Sequence, residues 1–75
     1  MTLEKFKKEV LNFANYRPKR WRKGQAVFNY IDKYYGVARE VQFKDSIDCF
    51  FNDGKIDEFI EKAFSRLINK KKLNS

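Results

Sequence analysis

Apolar residues recur at helical spacing in three stretches of the chain. In the first stretch, Leu3, Phe6, Val10 and Phe13 share one face of a helix. This pattern predicts a helix over about 2–15, with Thr2 as its N-cap. The only proline, at position 18, disfavours helical geometry in the residue before it, so we expect the helix to end near position 15 or 16.

The second stretch predicts a helix over about 22–35. Its buried face contains Val27, Phe28, Ile31 and either Tyr34 or Tyr35. A glycine at position 36 predicts the end of this helix, because glycine readily adopts the left-handed conformation found after a helix.

The third stretch has the clearest periodicity and predicts a helix over about 55–69. Acidic residues occupy its first turns and basic residues its end, which matches the helix dipole. We expect residues 70–75 to form a frayed basic tail. The apolar positions are Ile56, Phe59, Ile60, Ala63, Phe64, Leu67 and Ile68.

The connection over 37–54 has a mixed pattern. Val37, Ala38 and Val41 favour a short helical turn, whereas a strand over 40–43 has no obvious partner strand. An Asn-Asp-Gly sequence at 52–54 indicates a turn before the last helix. We therefore predict one all-α domain over 1–75, a small bundle of three main helices with an irregular, partly helical connection.

Composition limits the classes of function. A chain of 75 residues buries only about 60% of the surface that it exposes when unfolded, so a deep enzymatic pocket is not expected. The net charge of +7 and the pI of 9.7 favour nucleic acid, an acidic protein surface or anionic lipid as the partner. Residues 1–39 sum to +7, residues 40–61 to −5 and residues 62–75 to +5, so we expect distinct acidic and basic sides.

The sequence contains few residues of the types that catalysis and metal binding require. The chain has no histidine, and its single Cys49 has no partner for a disulfide or a zinc site. Residues 53–59 resemble the second half of an EF-hand loop, but the ligand positions fall on Cys49, Phe51 and Ile60, which cannot bind calcium. We therefore expect no enzyme activity, no metal and no cofactor, and interpret Cys49 as a small buried apolar residue.

No secretory signal and no apolar run of membrane-spanning length is present in the sequence. We therefore expect a soluble cytoplasmic protein that does not enter the membrane. Homo-oligomeric packing stays open, because the aromatic content of 17% is high for so small a core.

The strongest functional signal is the basic segment around Trp21. Lysine and arginine neutralise phosphates, and an aromatic ring stacks on unpaired bases. Trp21 either stacks in this way or anchors the core at the start of a helix, and the sequence leaves both alternatives open. The candidate nucleic-acid-binding residues are Arg17, Lys19, Arg20, Trp21, Arg22 and Lys23, and Lys5, Lys8, Lys70, Lys71 and Lys72 are candidates that extend the basic face.

Two segments resemble a group of short proteins encoded by bacteria and their phages. The sequence RKGQAVFN at 22–29 is similar to an R-x-G-Q-x-x-F-N segment, and DCFFND at 48–53 is similar to D-P-F-x-D-D. Here Cys49 replaces the proline and Asn52 replaces an aspartate. The resemblance covers about 22–67 and implies a mostly helical fold and a phage or mobile-element setting.

Two functions remain at this point. The first is a non-enzymatic module that binds nucleic acid sequence-independently through its phosphates. The second is a phage-encoded protein-interaction module that inhibits a host defence or nucleic-acid-handling protein, an anti-CRISPR-like role. In that case the basic residues meet an acidic patch, or the acidic 40–61 segment imitates a phosphate backbone.

Overall fold

Helices account for the regular structure of the described residues. The computed structural model describes the backbone of residues 1–73 and the side chains of residues 1–69. The helices are α1 (Leu3–Asn15), α2 (Lys23–Tyr35), α3 (Ala38–Phe43) and α4 (Ile56–Leu73), and a 3-10 helix spans Asp53–Lys55. No strand occurs in this part of the chain, so the all-α prediction of three main helices and a partly helical connection is confirmed.

The helix ends follow the predicted chemistry. The Oγ1 atom of Thr2 accepts a hydrogen bond of 3.2 Å from the backbone N–H of Lys5, as an N-cap does. Gly36 has a φ of 71°, and its N–H donates to the carbonyl of Ile31 at 3.0 Å. Helix α4 continues past the predicted end at position 69 to Leu73, so four of the six residues predicted as a frayed tail over 70–75 have a helical backbone, and residues 74–75 lie outside the described backbone.

Helix α3 replaces the strand alternative over 40–43, and an arginine of α4 ties it to the bundle. The guanidinium of Arg66 donates to both carboxylate oxygens of Asp45, at 2.7 and 3.0 Å, and to Glu40 at 3.3 Å. These bonds favour the charged carboxylate and hold the pKa of Asp45 below its ordinary value.

The core fills the space between the facing sides of the helices. Tyr35 packs against it, whereas Tyr34 is 59% exposed, so Tyr35 is the tyrosine on the buried side of α2. The buried residues are Phe6, Val10, Ala14, Ala26, Val27, Ile31, Val37, Ala38, Val41, Cys49, Ile56, Phe59, Ile60 and Ala63.

The first turn of α2 meets the segment 48–53 at a close contact that we call the Gly24 seam, formed by Gly24, Cys49 and Asp53. The N–H of Gly24 donates to Oδ1 of Asp53 at 3.1 Å, and Sγ of Cys49 donates to the carbonyl of Gly24 at 3.4 Å. A Cβ atom at position 24 would overlap the carbonyl oxygen of Cys49, so only glycine fits there. Cys49 is fully buried, and burial raises the pKa of its thiol to about 12.

Aromatic packing extends the seam into the core. The ring of Phe28 meets Phe50 edge-on at 5.5 Å between centroids and lies 5.8 Å from the ring of Phe59. Such aromatic pairs stabilise a fold by more than the burial of their apolar surface alone would. Both segments that carry the resemblance, 22–29 and 48–53, thus supply residues to one continuous contact.

Helices α1 and α2 are also joined by a carboxylate that accepts two tyrosine hydroxyls. The hydroxyls of Tyr30 and Tyr35 donate to Oε2 of Glu9 at 2.7 and 2.6 Å. Burial and the hydrogen bond to Glu9 raise the pKa of Tyr35 to about 12, and the same causes raise the pKa of Tyr30.

The close contact at the Gly24 seam predicts that position 24 does not tolerate a residue with a side chain. We expect Gly24→Ala to lower the free energy of unfolding by about 3 kcal/mol, because the added methyl group must displace backbone atoms. Urea denaturation measures this loss. Gly36→Ala is the matched control and should lower the free energy of unfolding by only about 1 kcal/mol. A Cβ atom at position 36 has no atom within 4 Å, so the only cost is that of a positive φ in a residue other than glycine. Equal losses in the two variants would contradict the steric role of Gly24.

The hydrogen bonds from Tyr30 and Tyr35 to Glu9 predict a loss of stability in alkali. Unfolded Tyr35 ionises near pH 10, whereas the folded chain holds this proton to about pH 12. The folded state therefore binds more protons in that window, and stability falls as the pH rises through it.

Glu9→Gln should move the pKa of Tyr35 towards its ordinary value and flatten this pH dependence. Titration of phenolate absorbance, with urea denaturation at each pH, checks both effects. Glu4→Gln removes a carboxylate from the same helix and should leave the titration unchanged. A Glu9→Gln curve that matches the parent protein would show that the hydroxyl contacts do not set the pKa.

Candidate functional site

The basic loop, residues 17–23, connects α1 to α2. The N–H of Trp21 donates to the carbonyl of Pro18 at 3.0 Å, which closes a turn. Pro18 fixes its own φ and keeps Arg17 out of helical geometry, so α1 ends where the sequence predicts. The loop backbone therefore has a defined shape between the two helices.

Arg17 holds this turn against the end of α1. Its Nε donates to the carbonyl of Trp21 at 2.9 Å, and its Nη1 donates to the carbonyl of Ala14 at 2.7 Å. The carbonyls of a last helical turn lack partners within the helix, and a cation there also interacts favourably with the helix dipole. The Arg17 side chain thus connects the end of α1 to the backbone of Trp21, and Arg17 is only partly exposed.

Trp21 packs against the core and is half-buried. Its backbone makes two of the bonds that shape the loop, as donor to Pro18 and as acceptor from Arg17. Of the two sequence alternatives, core anchoring therefore has direct support in the packing of Trp21.

The remaining cations of the loop point to solvent. Lys19, Arg20 and Arg22 are exposed and Lys23 is partly exposed. Within the described side chains, none of the four makes a hydrogen bond or an ion pair. Asp53, which lies next to the end of the loop, accepts the N–H of Gly24 at 3.1 Å.

The predicted extensions of the basic face lie apart from the loop. Lys5 and Lys8 are exposed on the outer side of α1, where they line a shallow surface depression with Glu9 and Asn12. At 1.5 Å per residue, Lys8 is about 10 Å along the axis from Asn15. Lys70, Lys71 and Lys72 lie outside the residues whose side chains are described.

Tyr16 is a candidate that the sequence patterns did not single out. It is the C-cap residue of α1, next to Arg17, and it is 83% exposed. Its ring makes no aromatic or cation contact within residues 1–69. The available signal was its position at the predicted end of the helix, two residues before the proline that stops the helix.

Other classes of site find no support in residues 1–69. No cluster of three or more cysteine, aspartate or glutamate side chains is placed to hold a metal ion there. None of the helices searched combines the length and apolar character needed to span a membrane. Comparisons of the chain with protein-family models, curated proteins and solved structures found no match.

The geometry predicts that Arg17 stabilises the fold. Arg17→Lys keeps the charge but loses the fork that bridges two carbonyls, so we expect a loss of about 1–2 kcal/mol in the free energy of unfolding. Thermal and urea denaturation measure it. Arg20→Lys makes the same exchange at an exposed position of the same loop and should leave stability unchanged. Equal stability of both variants would refute the bridging role.

Proposed function

We propose that this protein is a non-enzymatic module that binds nucleic acid sequence-independently through phosphate contacts from its basic loop. The residues that make these contacts are Lys19, Arg20, Arg22 and Lys23. Arg17 and Trp21 keep the loop in shape rather than contact the ligand. Lys5, Lys8 and the lysines at 70–72 extend the attraction to more distant phosphates.

The observation that carries this proposal is the lack of carboxylate partners for the four loop cations in residues 1–69. Four other cations of the described side chains pair with carboxylates, as Lys7 does with Asp57 at 3.5 Å and Arg39 does with Asp32 at 3.8 Å. Solvated cations clustered on one exposed loop give a positive potential that attracts a polyanion. Each phosphate that they neutralise releases counterions, which supplies affinity without regard to base sequence.

The placement of the four cations suits contact with phosphates better than recognition of bases. Specific DNA recognition needs a helix or strand that presents several side chains to base edges in a groove. The four cations lie at a loop and at the first residue of α2, and long flexible side chains there suit the phosphate backbone. We therefore infer binding that tolerates any sequence.

The second candidate is the phage-encoded protein-interaction module that inhibits a host defence or nucleic-acid-handling protein. Two phenylalanines support it, since Phe43 is 74% and Phe51 is 69% exposed, and exposed aromatic residues are enriched in protein interfaces. The version in which the acidic 40–61 segment imitates phosphates has less support, because six of its seven carboxylates already bind groups within the protein. These are Glu40, Asp45, Asp48, Asp53, Asp57 and Glu58.

Salt dependence tests the leading proposal. With four phosphate contacts, the plot of log affinity against log salt concentration should have a slope of about −3 to −4 for duplex DNA. Replacing both Lys19 and Arg20 by glutamine should reduce the steepness by about 2 and weaken binding to all sequences alike. Fluorescence anisotropy with labelled DNA at several salt concentrations measures the slope.

A variant of equal charge provides the control. The Arg39→Gln, Lys55→Gln pair also removes two positive charges, but from side chains that pair with Asp32 and Glu58. Its slope should stay close to that of the parent protein. Identical slopes in the two double variants would show that net charge, and not the basic loop, determines binding, and an affinity that does not change with salt would refute phosphate contact altogether.

A further inference from the structure

Tyr16 stands at the entrance of the basic loop with its ring in solvent. It is 83% exposed, and no other aromatic ring of the described chain covers it. The other largely exposed tyrosine, Tyr34, is already engaged, because its ring lies 4.8 Å from that of Tyr30 and the ammonium of Lys33 lies 5.4 Å from its centroid. Tyr16 is therefore the tyrosine whose ring faces are open to an external ligand.

The backbone around Tyr16 is fixed by local hydrogen bonds. The N–H of Tyr16 donates to the carbonyl of Phe13 at 3.1 Å, and the next residue, Arg17, is held to Ala14 and Trp21 by its side chain. Because hydrogen bonds hold the backbone on both sides of Tyr16, only the torsions of its own side chain remain to be fixed when the ring meets a flat partner.

Cations follow this ring closely in the sequence. Lys19 and Arg20 follow within four residues, so their Cα atoms lie at most about 14 Å from that of Tyr16. Lysine and arginine side chains are long enough to contact, from such a separation, the phosphates on either side of a base that rests on the ring. An open aromatic face with lysine and arginine a few residues away along the chain is the combination used for single-stranded nucleic acid.

We infer that Tyr16 is a stacking platform for an unpaired base, and that the basic loop prefers single-stranded over double-stranded nucleic acid. This inference rests on the proposed function of the loop. In a duplex the faces of the bases are covered by their neighbours, so Tyr16 gains no base contact there and only the phosphate contacts remain. A single strand offers both a base face and phosphates to the same surface.

A comparison of two probes tests the preference. The probes are a fluorescein-labelled thymidine oligonucleotide of about 12 nucleotides and a labelled duplex of similar length, and anisotropy reports the affinity for each. We expect the protein to bind the single strand more tightly. Tyr16→Ala should weaken single-strand binding by about 5- to 100-fold and change duplex binding less than about twofold. Tyr16→Phe should retain the affinity of the parent protein for both probes.

Tyr34→Ala is the matched control, since it removes an exposed tyrosine located about 17 Å along α2 from Lys23. It should leave both affinities unchanged. Melting curves of Tyr16→Ala should match the parent, because Tyr16 takes no part in the core.

The failure of this inference is distinct from the failure of the proposed function. If Tyr16→Ala binds the single strand as well as the parent does, while the Lys19, Arg20 double variant binds both probes more weakly, the stacking role is wrong and the phosphate-binding role stands. Duplex binding that equals or exceeds single-strand binding also overturns the inference. If neither probe binds at any salt concentration, the proposed function and the inference both fail.

Discussion

The missing side chain of Gly24 is the constraint on which the arrangement of the helices depends. It allows the backbone at Cys49 to approach the first turn of α2 more closely than any other residue would permit. Asp53 then reaches the N–H of Gly24, and the 3-10 helix that begins at Asp53 leads directly into α4. The starts of α2 and α4 are thereby fixed to one another, and the basic loop ends at a point that cannot shift independently of the core.

Periodicity predicted the long helices because each buries a continuous apolar face, and that signal is present in the sequence itself. The six residues of α3 are too few to show a period, so the pattern at Val37, Ala38 and Val41 favoured only a short helical turn, and the strand alternative over 40–43 was opposed only by the lack of a partner strand. Caps at Thr2 and Gly36 followed from local chemistry that requires only neighbouring residues. Contacts between distant parts of the chain had no such signal.

The candidate site illustrates the same limit. Composition identified the basic segment, but the separate roles of its members depend on backbone geometry. Arg17 faces two carbonyls only because the turn at Pro18 brings Trp21 back towards Ala14. The exposure of Tyr16 depends on the angle at which the chain leaves α1, and the close approach at Gly24 depends on residues more than twenty positions away. Sequence patterns show which residues are present, whereas these roles depend on the positions that the folded backbone gives to those residues.

The burial of Cys49 in the Gly24 seam gives the chain an internal reporter. Only the thiolate reacts readily with alkylating reagents, and this thiol is both enclosed and, with a pKa of about 12, almost entirely protonated near neutral pH. Modification therefore requires the seam to separate. Since Cys49 is the only cysteine in the chain, the rate of labelling of the intact protein measures how often α2 and the segment before α4 come apart.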